Sequence, residues 1–153
     1  MKRLLMALMM LVAGMLPAVA QKGLNDAADN VVGTYSGQQG DDAFKVRITK
    51  LDDGTYRGQV IWMEHDKDAH GNKLLDKKNP DKSLRSRPAD QAVLFTGLTY
   101  NAKKRCWGGT RIYDPQRGLK ANVTIDFLSD GRLRLKGTVL GIGETVYWKR
   151  VKE

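Results

Sequence analysis

Wherever the chain is periodic, its period is two. Phe44, Val46 and Ile48 alternate with Lys45, Arg47 and Thr49. Leu119, Ala121, Val123, Ile125 and Phe127 alternate with Lys120, Asn122, Thr124 and Asp126, and Leu133, Leu135, Gly137 and Val139 with Arg134, Lys136 and Thr138. That spacing buries one face of a strand and leaves the other in water. Less regular runs of the same kind cover 31–36, 55–63, 92–100, 105–113 and 144–151, so about eight strands are predicted. Asp52-Asp53-Gly54, Asp114-Pro115-Gln116-Arg117-Gly118 and Ser129-Asp130-Gly131 supply turn chemistry between runs, which makes neighbouring strands antiparallel.

An all-β antiparallel set of this size hides its apolar faces and its edges together by closing into an up-and-down barrel; a two-sheet sandwich is the alternative. Glycines inside or beside strands, such as Gly58, Gly97, Gly108, Gly109 and Gly137, favour closure because they permit sharp coiling. Leu24 to Asn30 reads as a short N-terminal helix, capped by Asn25, that lids one end. The stretch 64–88 is polar and without periodicity, too long for an ordinary hairpin loop, and so a candidate functional loop.

The N-terminus changes the compartment. Lys2 and Arg3 precede an apolar run of 13 residues, Leu4–Leu16, and Ala18-Val19-Ala20 offers a small-residue cleavage site, the pattern of a secretory signal. Residues 1–20 are therefore expected to be a signal peptide and 21–153 a single periplasmic or secreted barrel domain. The run falls short of the roughly 18–20 residues that cross a bilayer, so no transmembrane segment is expected. A lone cysteine, Cys106, excludes an intrachain disulfide framework.

The chain carries 26 Lys+Arg against 17 Asp+Glu, a net of +9, which falls to +7 once Lys2 and Arg3 are removed. Outside the cytosol this excess points to acidic envelope components, anionic lipid or polysaccharide, or an anionic small ligand, and not to nucleic acid. Only Met63 of the six methionines lies beyond the signal, which excludes a Met-rich binding surface.

Motifs for chemistry are few. Asp66-Lys67-Asp68-Ala69-His70-Gly71-Asn72 opens like a calcium loop, but His70 stands at the fifth position and Lys77 at the twelfth, so it reads as a tight Asx-type turn with no metal. His65 and His70 are five apart and Cys106 is remote, which fits no zinc site. No nucleophile, base and orienting group can be assembled, so no cofactor is expected and an enzyme built on the acidic loop with Asp76 or His70 is the least favoured reading. The aromatics offer more. Taken at strict alternation, Tyr56, Val60 and Trp62 share a face, and so do Trp107, Arg111 and Tyr113. A barrel so lined stacks a small apolar or amphipathic ligand and holds its anionic group with Arg111; plain core filling is the competing reading.

Several ordered motifs resemble one family. Asp68, Gly71, Asp76, Asn79-Pro80-Asp81, Arg85, Arg87-Pro88, the run Trp107 to Pro115 and Trp148-Lys149-Arg150 are similar to the bacterial exported family of domain of unknown function 2147, over nearly all of the mature chain. Where that family often has Trp, this chain has Gly33-Thr34-Tyr35. The resemblance implies a lipocalin-like, calycin-type barrel, with Arg150 packed across Tyr35 to close one end, and brings no established activity. Arg85 and Arg87 either fold the long loop as a cap, by forking onto Asp76, Asp81 or Asp114, or meet a ligand anion at the barrel mouth. The expected function is binding of a small apolar or amphipathic anionic ligand by a monomeric barrel, with Trp62, Arg85, Arg87, Trp107, Arg111 and Tyr113 as ligand-binding residues. The alternative is an envelope interaction module that meets anionic lipid or polysaccharide through its basic surface.

Overall fold

The computed structural model describes residues 23–152; the expected signal peptide lies outside the described residues. Eight strands run β1 (Gly33–Gln39), β2 (Asp42–Lys50), β3 (Tyr56–Met63), β4 (Val93–Asn101), β5 (Cys106–Asp114), β6 (Leu119–Phe127), β7 (Leu133–Val139) and β8 (Ile142–Arg150). Each pairs antiparallel with the next, and β8 returns to β1 to close a barrel. Among the described residues no helix is long and apolar enough to cross a membrane.

Strict alternation fails at two places, and both failures matter. Lys45 pairs with Trp62 but Val46 pairs with Val60, so Ile61 is an extra residue in β3. Trp107 pairs with Ile125 but Thr110 with Val123, so β5 carries an extra residue at Gly108-Gly109. Gly109 has φ +77° and a Cβ there would lie 2.9 Å from Thr99 Oγ1; glycine supplies the left-handed conformation the bulge needs. A bulge reverses which face every later side chain takes.

The barrel is filled at one end. Val46, Ile48, Leu98, Trp107, Ile125 and Leu133 belong to a continuous buried cluster. Trp107 stands edge-on to Phe127 at 5.8 Å and tilted against Tyr100 at 5.1 Å. The segment before β1 seals this end, but not as the expected helix over Leu24–Asn30. It forms only a 3-10 turn at Ala28–Val31. Seven residues are too few for a helix to hold itself, and their polar groups are engaged elsewhere. Trp107 Nε1 donates to Ala28 O, Tyr35 Oη to Val31 O and Tyr100 Oη to Asn25 O. Asn25 caps no helix; its side chain pairs in both directions with the backbone of Phe127. Tyr35 and Arg150 are register partners, with the guanidinium 5.0 Å over the ring and bonded to the hydroxyl, as the resemblance implied.

The other end is open. β1 pairs with β8 only at Tyr35 to Arg150 and Ser36 to Lys149. On β8 only Trp148 is buried. A polar lattice spans this mouth: Gln39 Nε2 donates to Asp114 Oδ2 at 3.4 Å, and Arg117 bridges Asp114 and Glu144 at 2.6 Å each.

Candidate functional site

The long connection between β3 and β4 is a folded cap over the outer barrel wall. β4 pairs with β5 only from Thr99 to Asn101; towards the mouth the regular ladder stops and a bond from Thr110 Oγ1 to Thr96 O joins the strands. The cap packs over this break in the ladder. Its anchor is Asp76, whose side chain is fully buried against Arg87. It accepts from Tyr113 Oη at 2.6 Å, Asn79 Nδ2 at 2.8 Å and Arg87 Nη2 at 3.2 Å. Burial, and then the Asp76 carboxylate, push the Tyr113 phenol well above the usual tyrosine range. Beyond Asp76 the chain turns at Asn79, and Arg85 Nε donates to Asn79 O. Asp81 accepts from the hydroxyl and amide of Ser83, which hold its carboxyl below the usual range. A second anchor sits at the β5–β6 turn, where Lys78 Nζ donates to Gln116 O. A Cβ on Gly118 would fall 2.6 Å from Lys78 O, so only glycine allows that approach.

Between cap and wall lies a cleft of about 450 Å³. Leu84, Val93, Leu94 and Phe95 give it apolar surface, and Arg87, Arg111, Lys120, Asp81, Asn79, Thr96 and Thr110 give it polar groups. Arg111 is exposed and donates to the Lys120 carbonyl; among the described residues it has no carboxylate partner. Arg87 is neutralised by Asp76, yet its Nε is buried without a hydrogen-bond partner. Buried donors are seldom left so.

Of the six residues expected to bind a ligand, Arg87, Arg111 and Tyr113 line this cleft. The remaining three lie elsewhere. Trp107 is in the sealed core. Trp62 faces outward, 44% exposed, with Lys45 Nζ 5.4 Å from its ring, and Arg85 braces the cap. The lumen face drawn from strict alternation does not form, because the bulges turn Trp62, Arg111 and Tyr113 to the outside. Ile112 takes the inward place on β5. Lys120, Thr96 and Thr110 were missed; the doubled glycine at Gly108-Gly109 was the available signal for a bulge, and reading it as one would have drawn β5 outward.

A family model described as an uncharacterized protein conserved in bacteria, DUF2147, matches residues 33–150. The chain belongs to the DUF2147 family. The match runs from the first residue of β1 to the last of β8 and so takes in the cap and cleft. A solved structure, protein HP1028 from the human pathogen Helicobacter pylori, described as belonging to the lipocalin family, is similar at a TM-score of 0.63 and 26% identity, over 80% of this chain and 83% of that one. No curated protein matches. This DUF2147 chain is thus a lipocalin-like barrel.

Several acids elsewhere are held by nearby donors. Asp66 and Asp90 both engage Lys73, and Asp68 Oδ1 accepts from the amides of His70 and Asn72. His65 Nδ1 meets Asp42 at 2.5 Å. Among the described residues no cluster of three His, Cys, Asp or Glu could hold a metal.

Proposed function

We propose that this is an exported DUF2147 protein, a single barrel domain from residue 21, that binds a small amphipathic anion in the wall cleft. The carrying observation is that Arg111, without a carboxylate, and Arg87, with a buried and unpartnered Nε, meet at one apolar-sided cleft. Guanidinium groups favour planar carboxylate or phosphate heads, and Leu84, Val93 and Phe95 suit a short apolar tail. Tyr113 and Asp76 hold Arg87 from behind.

Calorimetry with decanoate and decanol tests the reading. Decanoate binds and decanol binds much more weakly. Arg111→Ala weakens decanoate about tenfold or more, the worth of a charge-assisted hydrogen bond, while Trp62→Ala leaves it unchanged. Equal binding of the acid and the alcohol, or an Arg111→Ala protein that binds decanoate as the parent does, sinks the proposal. For the export component, N-terminal sequencing of envelope-purified protein gives Gln21 as the first residue; an intact Met1 refutes it.

A further inference from the structure

The β7–β8 hairpin turns on Leu140 and Gly141, with Leu140 at φ +49°. A two-residue turn of this hand favours Asn or Gly, and a leucine there is strained by its own Cβ. It is also 97% exposed, and Ile142 beside it is 77% exposed. Leu119, at the start of β6, is 49% exposed, and extending the β6–β7 register from Asn122 and Thr138 places it level with the turn. Three branched apolar side chains therefore crown one side of the mouth on a convex tip. None of this stabilises the barrel.

Two cations flank the tip. Lys120 stands level with the turn, and Lys136 lies four residues down β7, about 13 Å along the strand; both are exposed. Neither has an ion-pair partner among the described residues. Of the acids near the tip, Glu144 and Asp114, the register partner of Leu119, share Arg117, and Asp81 lies in the same cleft as Lys120. Acidic residues Asp41 and Asp42 lie across the mouth on the β1–β2 turn, beyond the point where β1 and β8 part. An apolar point with cations set back at headgroup depth complements a negatively charged bilayer surface, whereas a protein groove would need shape that a two-residue point does not offer.

We infer that this tip docks the protein on a bilayer containing anionic lipid, with Leu140, Ile142 and Leu119 entering the acyl boundary and Lys120 and Lys136 at the headgroups. Cosedimentation of the protein with vesicles of phosphatidylcholine, alone or mixed with phosphatidylglycerol, tests it. The parent chain partitions onto the mixed vesicles. Leu140→Asn combined with Ile142→Thr lowers the partition coefficient about tenfold or more, and Lys136→Gln lowers it about fivefold, on mixed vesicles only. Asn accepts the turn conformation, so the double variant folds, which a thermal melt verifies. Parent protein that stays in the supernatant, a double variant that partitions equally, or sedimentation of the lipid-free parent as a dimer that the double variant abolishes overturns the inference. Lys120 also lines the cleft, and the two sites are separated by Arg111→Ala, which impairs decanoate binding and leaves vesicle binding intact.

Discussion

Two buried clusters of this barrel are built on opposite principles. In the lumen, Trp107 is surrounded by apolar side chains, and its single polar atom is satisfied by a backbone carbonyl. Against the outer wall, Asp76, Asn79 and Tyr113 are buried and Arg87 is partly buried, held by mutual polar contacts under the cap. The first arrangement gains stability in proportion to the area it removes from water. The second gains little net stability, since desolvating the charges offsets their attraction, but it fixes the position of a guanidinium beside a cleft. The lumen holds the fold; the wall cluster holds a geometry.

The sharpest way to break that contrast is to cut each cluster and compare. Trp107→Ala removes the largest core side chain and costs about 4 kcal/mol, read from chemical denaturation, with any residual decanoate binding of the folded fraction unchanged. Asp76→Ala strands Arg87 and costs about 3 kcal/mol, and here the folded fraction loses decanoate affinity as well. A lumen substitution that altered affinity without unfolding would erase the distinction.

Alkaline titration probes both clusters at once. Burial pushes the Tyr35 phenol up to about 12, against the pull of Arg150, and Tyr113 is raised by burial and then by Asp76. Both shifts have the same sign: the folded state holds protons that the unfolded chain releases near pH 10. Their contribution is complete below about pH 10 and is lost as pH rises through about 12. Stability measured from pH 9 to 12 falls over that window, and tyrosinate absorbance rises late. In Tyr113→Phe one late-titrating group disappears, with a loss of about 1 kcal/mol at neutral pH. Trp62→Ala sits in neither cluster and changes stability by less than about 1 kcal/mol; a larger loss would give the outer wall an apolar role denied to it here.

The contrast also explains what was legible beforehand. Alternation in Phe44 to Thr49, Leu119 to Phe127 and Leu133 to Val139 reports burial directly, so the strands and their closure could be read. Alternation says nothing of an inserted residue, and one at Ile61 and one at Gly108-Gly109 exchanged the inside and outside of Trp62, Arg111 and Tyr113. The pairing of Arg87 with Asp76 is one of the forks the loop's residues offer, because buried charge seeks its opposite. That Tyr113 would complete it from 37 residues away depends on where the cap lands, which no local pattern encodes. The helix expected over Leu24 to Asn30 failed for a related reason: the donors that claim its carbonyls come from Trp107 and Tyr100.

The seal of the closed end reverses the order of synthesis. Asn25 is among the earliest described residues on the ribosome, yet its partner Phe127 lies 102 positions later, and the carbonyls of Val32 and Asn30 receive Arg150 from 118 and 120 positions away. The nascent segment has no place to dock until β6 and β8 exist, so what is made first is fastened last. Such distant closures slow folding, and a chain interrupted after β5 would carry a plug with no vessel to fit.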